Sequence, residues 1–320
     1  MKKLFIIFIS LFLFFSCNSN TENTKVSEKV EKIKSGKIVD SIVSQEKVKI
    51  ISPIIPLSSI INYIGGDYVS VENLVGAGIS AHSFDLKINQ MTEIEKSDLV
   101  ISLGLENIDG FLEKAIIGKN ILKVSDGINL IDLKEEDEHG DEEEHDEHGN
   151  EKDPHIWSSL ENSKIIAEKI TKKLTEIKPE YKNIFEENLV KFNKKLDDLK
   201  INFEEKIKGK KQTKFIIFHN SYNYLFRDLN IDQENKLIFR KNILSEPNSQ
   251  EMKELIDNIK KYNIKVAFVE PQFKDSTLSK IAKEYNIQIF ILNPLGKNVT
   301  RKGHIDNIKN NLDSLYNIYE

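Results

Sequence analysis

Three histidines in this 320-residue chain stand where a metal ion could be held. His82 lies in GAGISAHSF, a glycine-containing turn ahead of a predicted helix. His155 lies in DPHIW, where Pro154 restrains the backbone, and His219 follows FIIF, a predicted buried strand. Taken singly, each reads as a cap or a satisfied polar residue; three on successive crossovers of one pattern point to a shared task. In open α/β sheets ligands bind beyond the carboxyl ends of strands, which is where His219 falls. Imidazole nitrogen suits zinc, copper and nickel, whereas manganese and magnesium favour carboxylate oxygen. A tetrahedral zinc ion, with Zn–N near ~2.0–2.1 Å, would use three imidazoles and leave one position open. Glu270 in VEPQF and Asn293 in LNPLG end two further predicted strands and project towards the same edge. Glu270 is a candidate fourth ligand, or an acceptor orienting one of the rings. The same residues would also suit a zinc hydrolase with Glu270 as base, so ligand types alone leave receptor and enzyme open.

A second feature concerns cations in a different way. The segment Glu135–Asp153, EEDEHGDEEEHDEHGNEKD, carries twelve acidic residues against one lysine, a net −11, together with His139, His145 and His148. Almost nothing in it is apolar, so it is expected to be a mobile surface loop. Histidines interleaved with carboxylates suggest weak, exchangeable metal capture by His139, His145 and His148, beside the plainer reading of a solvated acidic insertion. The chain as a whole is at −5. Residues 1–16 contain two lysines, so the chain beyond them stands at −7 and, outside the acidic segment, at +4. That balance disfavours a nucleic-acid binder that neutralises phosphates. No phosphate loop, GxSxG elbow or CxxC pair occurs.

The elements that must position these side chains alternate between strand and helix. VKIISPIIP reads as a strand and Leu57–Ile64 as a helix stopped by Gly65 and Gly66. A helix over 86–95, strand 99–104, helix 106–117 and strand 121–125 follow, and Ser158 with Glu161 suggests a capping box opening the next helix. From Pro179 to Lys208 one long helix is predicted, with Tyr181, Phe185, Leu189, Phe192, Leu196, Leu199 and Phe203 on one stripe. The alternation then resumes: strand 214–218, helices near 221–229 and 249–262, strand 266–270, helix 276–286, strand 287–292 and a terminal helix 303–318. Such alternation signals parallel sheets with right-handed crossovers. The expected fold is α/β: two lobes, each a mostly parallel sheet flanked by helices, at 47–177 and 210–320, joined by a rigid helix at 178–209. Trp157 and the aromatic run Tyr222, Tyr224 and Phe226 read as packing, and His304 as a surface or capping residue.

The amino terminus places the protein. Lys2 and Lys3 precede an apolar run, Leu4–Phe15, broken only by Ser10, and then Ser16 and Cys17. This reads as a signal peptide over 1–16. Twelve helical residues reach roughly 18 Å, short of a ~30 Å hydrocarbon core. Cys17 is the chain's one cysteine, which excludes an internal disulfide. A small residue directly before it resembles a lipobox, which implies a lipidated Cys17 and a polar tether over 17–46, with simple secretion as the alternative; Phe14 departs from the commonest lipobox residue. Either way the folded part is expected outside the cytoplasm.

The succession SPIIPLSSIINYIGGDYVSVENLVGAG, AHSFDLKINQM, SDLVISLGLE, DPHIW, FHNSYNYLF, EPNSQEMKELID, VEPQF and LNPLG, over roughly 48 to 318, resembles the zinc-uptake receptors of bacterial ABC importers, the ZnuA-like metal-binding lipoproteins. The resemblance implies a helical-backbone metal receptor, with zinc held by His82, His155 and His219 between the lobes. It implies Zn2+ as transported ligand, an ABC permease and its ATPase as partners, and a monomer without enzymatic activity; the acidic histidine-rich loop before DPH is a mark of the zinc branch. Manganese receptors of the same family, which carry a carboxylate at the last strand end, are the alternative cargo class. Many zinc-type members have Asp where this chain has Asn293, and some carry a carboxylate where it has Ala81. Water, Glu270 or a loop carboxylate is left for the fourth position. A surface-adhesion role, which a tether and lipid would permit, has no signature in these residues.

Overall fold

The computed structural model describes residues 46–133, 151–273 and 276–320. Cys17, the tether, and His139, His145 and His148 lie outside the described residues. In the first lobe, β1 (Val48–Ile54) runs into α1 (Ile55–Gly65) and then β2 (Val69–Val75). Next come α2 (Ile88–Glu95), β3 (Leu99–Ser102), the single turn α3 (Glu106–Asp109) and β4 (Ile121–Lys123). The helices α4 (Leu160–Ile177) and α5 (Lys182–Ile207) then lead into the second lobe. There β5 (Phe215–Ile217), α6 (Asn223–Asp228), β6 (Lys236–Ile238) and α7 (Ser249–Tyr262) are followed by β7 (Val266–Val269), α8 (Ser276–Glu284), β8 (Gln288–Ile291) and α9 (Gly303–Leu315).

Both sheets are wholly parallel and share one order, β2-β1-β3-β4 and β6-β5-β7-β8. In each, the winding direction reverses between the first and third strands, which opens a crevice at their carboxyl ends. The central strands are apolar on both faces, as helix-covered parallel strands must be, and β1 is buried at every residue except Lys49.

The long helix follows its sequence pattern. Phe185, Phe192, Leu196 and Phe203 are buried, and Tyr181, Leu189 and Leu199 are packed at the margin of the same core. α5 lies against α1 of the first lobe, α4, and α9 of the second. One hydrophobic cluster therefore runs through both lobes, from Val48 and Ile60 to Phe215 and Leu312.

Several expectations are corrected. The helix expected at 106–117 is one α-helical turn and a 3₁₀ turn, because the Asp109 carboxylate folds back to accept Ser102 Oγ–H and the Leu103, Gly104 and Leu105 N–H groups. Two strands unforeseen in the pattern, β2 and β6, sit at sheet edges. α4 is capped one residue later than expected: Ser159 Oγ accepts from Asn162 N, while Ser158 donates to the His155 carbonyl and Glu161 meets Lys164 and Lys200. The acidic segment is not all loop. Asp132 and Lys152 form an antiparallel bridge, and Asp153 N donates to Ile131 O, so residues 151–153 belong to the fold.

His304 is not on the surface. It is 3% exposed, its Nε2 is 2.9 Å from Ser163 Oγ on α4, and its ring stacks on Phe192 of α5. Burial lowers its pKa to about 4. A base whose folded pKa lies below its unfolded value near ~6.5 binds its proton first in the unfolded chain, so its neutral burial costs nothing above pH 6.5 and weakens the fold as pH falls towards 4. Between pH 7 and pH 4.5 His304 is expected to remove about 2–3 kcal/mol of stability from the metal-free protein. Denaturant titrations across that range should show a pH slope shallower by about one proton in His304→Gln; equal slopes would refute the assignment.

Candidate metal centre

The three sequence-selected histidines come together. His82 sits in a 3₁₀ turn (Ala81–Ser83) after β2, His155 immediately precedes another (Ile156–Ser158), and His219 follows β5 by two residues. His82 Nε2 is 3.2 Å from His155 Nε2, which is 3.4 Å from His219 Nε2. One ligand atom from each ring lies within 4.8 Å of the others. Tetrahedral zinc with ~2.0–2.1 Å bonds has nitrogen–nitrogen edges of roughly 3.3–3.4 Å, so two of the three edges already match.

Each ring has an acceptor near its back, and that of His155 is hydrogen-bonded to it. His155 Nδ1 is 2.7 Å from Asp153 Oδ1, which also accepts from the His155 backbone N–H. Asp153 is fully buried, and its other oxygen accepts from Asn223 Nδ2. Burial pushes this carboxyl up, but the His155 ring and these donors prevail and leave it below the usual carboxylate range. With Nδ1–H given to a carboxylate, the Nε2 lone pair of His155 must face the centre. His219 Nδ1 lies 2.7 Å from Glu270 Oε1 at an angle that falls short of a hydrogen bond and leaves Nδ1 without a partner; a small ring rotation would complete the contact. His82 has the Asn107 backbone as acceptor for its ring. Burial, then the neighbouring His155 and His219, lower the His82 pKa to about 3. In the ordinary pH range His82 is thus a neutral base with a lone pair to offer.

Glu270 is 2% exposed and engaged on both oxygens, with His219 and Ser221 at Oε1 and Gln272 Nε2 at Oε2. Its position is that of an orienting acceptor. Asn293 does not face the rings as a donor: its Oδ1 accepts from Leu295 N and Gly296 N, and so shapes the loop that delivers Pro294 and Leu295 to the cavity wall. Trp157 lines the same wall and donates its indole N–H to the Pro294 carbonyl, 2.8 Å away.

Sequence reasoning missed Asp153, which it counted in the mobile acidic loop, and missed the role of α6. Asn223 holds the Asp153 carboxylate, Tyr224 Oη donates to the Asp153 carbonyl, and Asp228 accepts from Ser159 Oγ and Glu161 N. The short helix after His219 thereby grips the segment that bears His155. The available signal was the spacing of DPH, which sets a carboxylate two residues from a ring on a proline-restrained backbone.

Two parallel α/β lobes linked through a long helix, with three imidazoles converging in a small, mostly apolar cleft, define a metal-ion receptor of the helical-backbone kind. The family model described as ZnuA, zinc-uptake complex component A, periplasmic, matches residues 50–318, and the chain belongs to that family. It is 26% identical over 293 residues to the high-affinity zinc uptake system protein ZnuA of Haemophilus influenzae, covering 78% of this chain and 86% of that protein. It is 24% identical over 302 residues to the manganese ABC transporter substrate-binding lipoprotein PsaA of Streptococcus pneumoniae, covering 91% and 89%. Among solved structures, a crystal structure of ZnuA superposes with a TM-score of 0.73 at 27% identity over 85% of this chain and 99% of that one.

Replacing Asp153 by Asn keeps an acceptor for His155 but removes the charge that fixes its tautomer. Zinc affinity is expected to fall roughly 10–100-fold, read by competition with a chromophoric chelator; unchanged affinity would show that Asp153 only packs.

Proposed function

We propose that this protein captures Zn2+ outside the cytoplasm with His82, His155 and His219 and hands it to an ABC permease driven by its ATPase. The observation that carries this reading is the convergence of three imidazole nitrogens, two of them backed by buried carboxylates, in one cleft. Family membership supports the transport role, and the relatives named for zinc uptake support the cargo. The anchoring by Cys17, the monomeric state and the use of His139, His145 and His148 as an auxiliary capture loop belong to the same proposal and rest on the sequence. No helix among the described residues is long and apolar enough to cross a membrane.

Manganese is the competing cargo, since the chain also aligns along nearly its whole length with a receptor named for that metal. The donor set argues against it. Three neutral nitrogens with no free carboxylate suit zinc better than the harder manganese ion. A hydrolase would need Glu270 free as a base, whereas its oxygens contact His219, Ser221 and Gln272. We therefore assign no catalytic step.

Metal analysis of protein purified without chelator is expected to give about one zinc per chain at this site. The variant with His82, His155 and His219 all changed to alanine should lose it, with only weak loop-bound metal remaining. Trp157 is the chain's one tryptophan and its ring centroid is 5.3 Å from that of His155. Zinc titration of the metal-free protein should therefore change its emission and saturate at one equivalent, with manganese requiring a much higher concentration. A triple variant that retains its zinc, or manganese that displaces zinc at equal concentration, would overturn the assignment.

A further inference from the structure

The histidines supply three donors, and this inference, which rests on the reading that they hold one divalent cation, concerns the fourth. The carboxylates nearby are spoken for: both Asp153 oxygens and both Glu270 oxygens are engaged, and Asn293 Oδ1 is turned onto backbone N–H groups. The cavity bounded by the rings has a volume of about 10 Å³, roughly what a single water-sized occupant needs. The cation itself would fill it, which turns the search for a protein donor to the wall. Beyond the rings that wall is chiefly apolar, with Trp157, Phe273 and Leu295 prominent, and its other polar side chains are Ser80 and Gln272. Among the described residues no partner aims the Ser80 hydroxyl. Gln272 is aimed: its Nε2 donates to Glu270 Oε2, which fixes the amide plane and leaves Oε1 as the end not committed to Glu270. The same Glu270 contacts the His219 ring through its other oxygen, so the amide and the imidazole are set by one carboxylate.

We propose that the Gln272 amide oxygen supplies the fourth donor of the metal site and helps to set its preference for zinc. A neutral oxygen completes a tetrahedron without adding the anionic oxygen that harder cations favour. The position two residues beyond Glu270 thus does the work that a carboxylate at position 293 would otherwise do.

The test uses the full chain loaded with cobalt(II), whose visible absorption reports coordination number, together with zinc and manganese competition titrations. Gln272→Leu, close in shape but without a donor, should weaken zinc binding about tenfold and change the four-coordinate cobalt spectrum. Gln272→Glu, which restores an oxygen and adds a charge, should keep a four-coordinate spectrum and raise manganese affinity relative to zinc by about tenfold. Ser80→Ala should match the parent. Gln272→Asn, with a shortened amide, should resemble Gln272→Leu and serves if the leucine variant fails to fold. Cobalt spectra and metal ratios that are the same in parent, Gln272→Leu and Gln272→Asn, or a change that follows Ser80→Ala instead, would overturn the proposal. If the triple histidine-to-alanine variant also kept the parent spectrum, the three-histidine reading itself would fall; if it lost the spectrum, only the role of Gln272 would be at issue.

Discussion

The interaction on which everything else depends is an unfavourable one. Two imidazole nitrogens 3.2 Å apart, and a third 3.4 Å from one of them, face inward with lone pairs that repel unless something positive lies between them. A folded chain keeps that arrangement only if each ring is prevented from turning away. Here a carboxylate stands behind His155, another behind His219, and a backbone acceptor behind His82. With acceptors at their backs, the rings are turned so that ring nitrogen points into the cleft, which is the arrangement a metal ion needs.

The supports are unequal. The segment bearing His155 is gripped at three places by the helix that follows His219, through Asn223, Tyr224 and Asp228. The segments that carry those two rings are tied to each other by these hydrogen bonds. His82 projects from a short turn whose ties to the rest of the centre are fewer, and it is more accessible than the other two. His82 is thus the least constrained of the three rings, while the other two sit in lobes that share a single hydrophobic cluster.

Much of this was legible in the residues. Strong periodicity gave the long helix and its buried stripe, and α7 (Ser249–Tyr262) spans the expected range, its start fixed by a local capping box of Asn248 and Glu251. The three histidines stood out because each followed a turn or strand end. What escaped notice was set by tertiary contacts. β2 and β6 are edge strands that earn their hydrogen bonds only from a neighbour distant in sequence. His304 carries nothing in its local sequence to announce a partner 141 residues away. Asp153 was hidden among eleven similar residues, and the bridge between its neighbour Lys152 and Asp132 is what ties this end of the segment into the fold. Asn293 was expected near the centre from its strand end, but its side chain serves the backbone of its own loop.

That bridge has a consequence for the length of the insert. Asp132 and Lys152 sit opposite each other, with Leu133 N bonded to Glu151 O, so the two ends that flank residues 134–150 are held together. Closure entropy grows only slowly with the number of residues enclosed. The number of residues between Leu133 and Glu151 can therefore change at little cost to the fold, because the hydrogen-bonded ends and not the enclosed length fix the backbone that leads into His155.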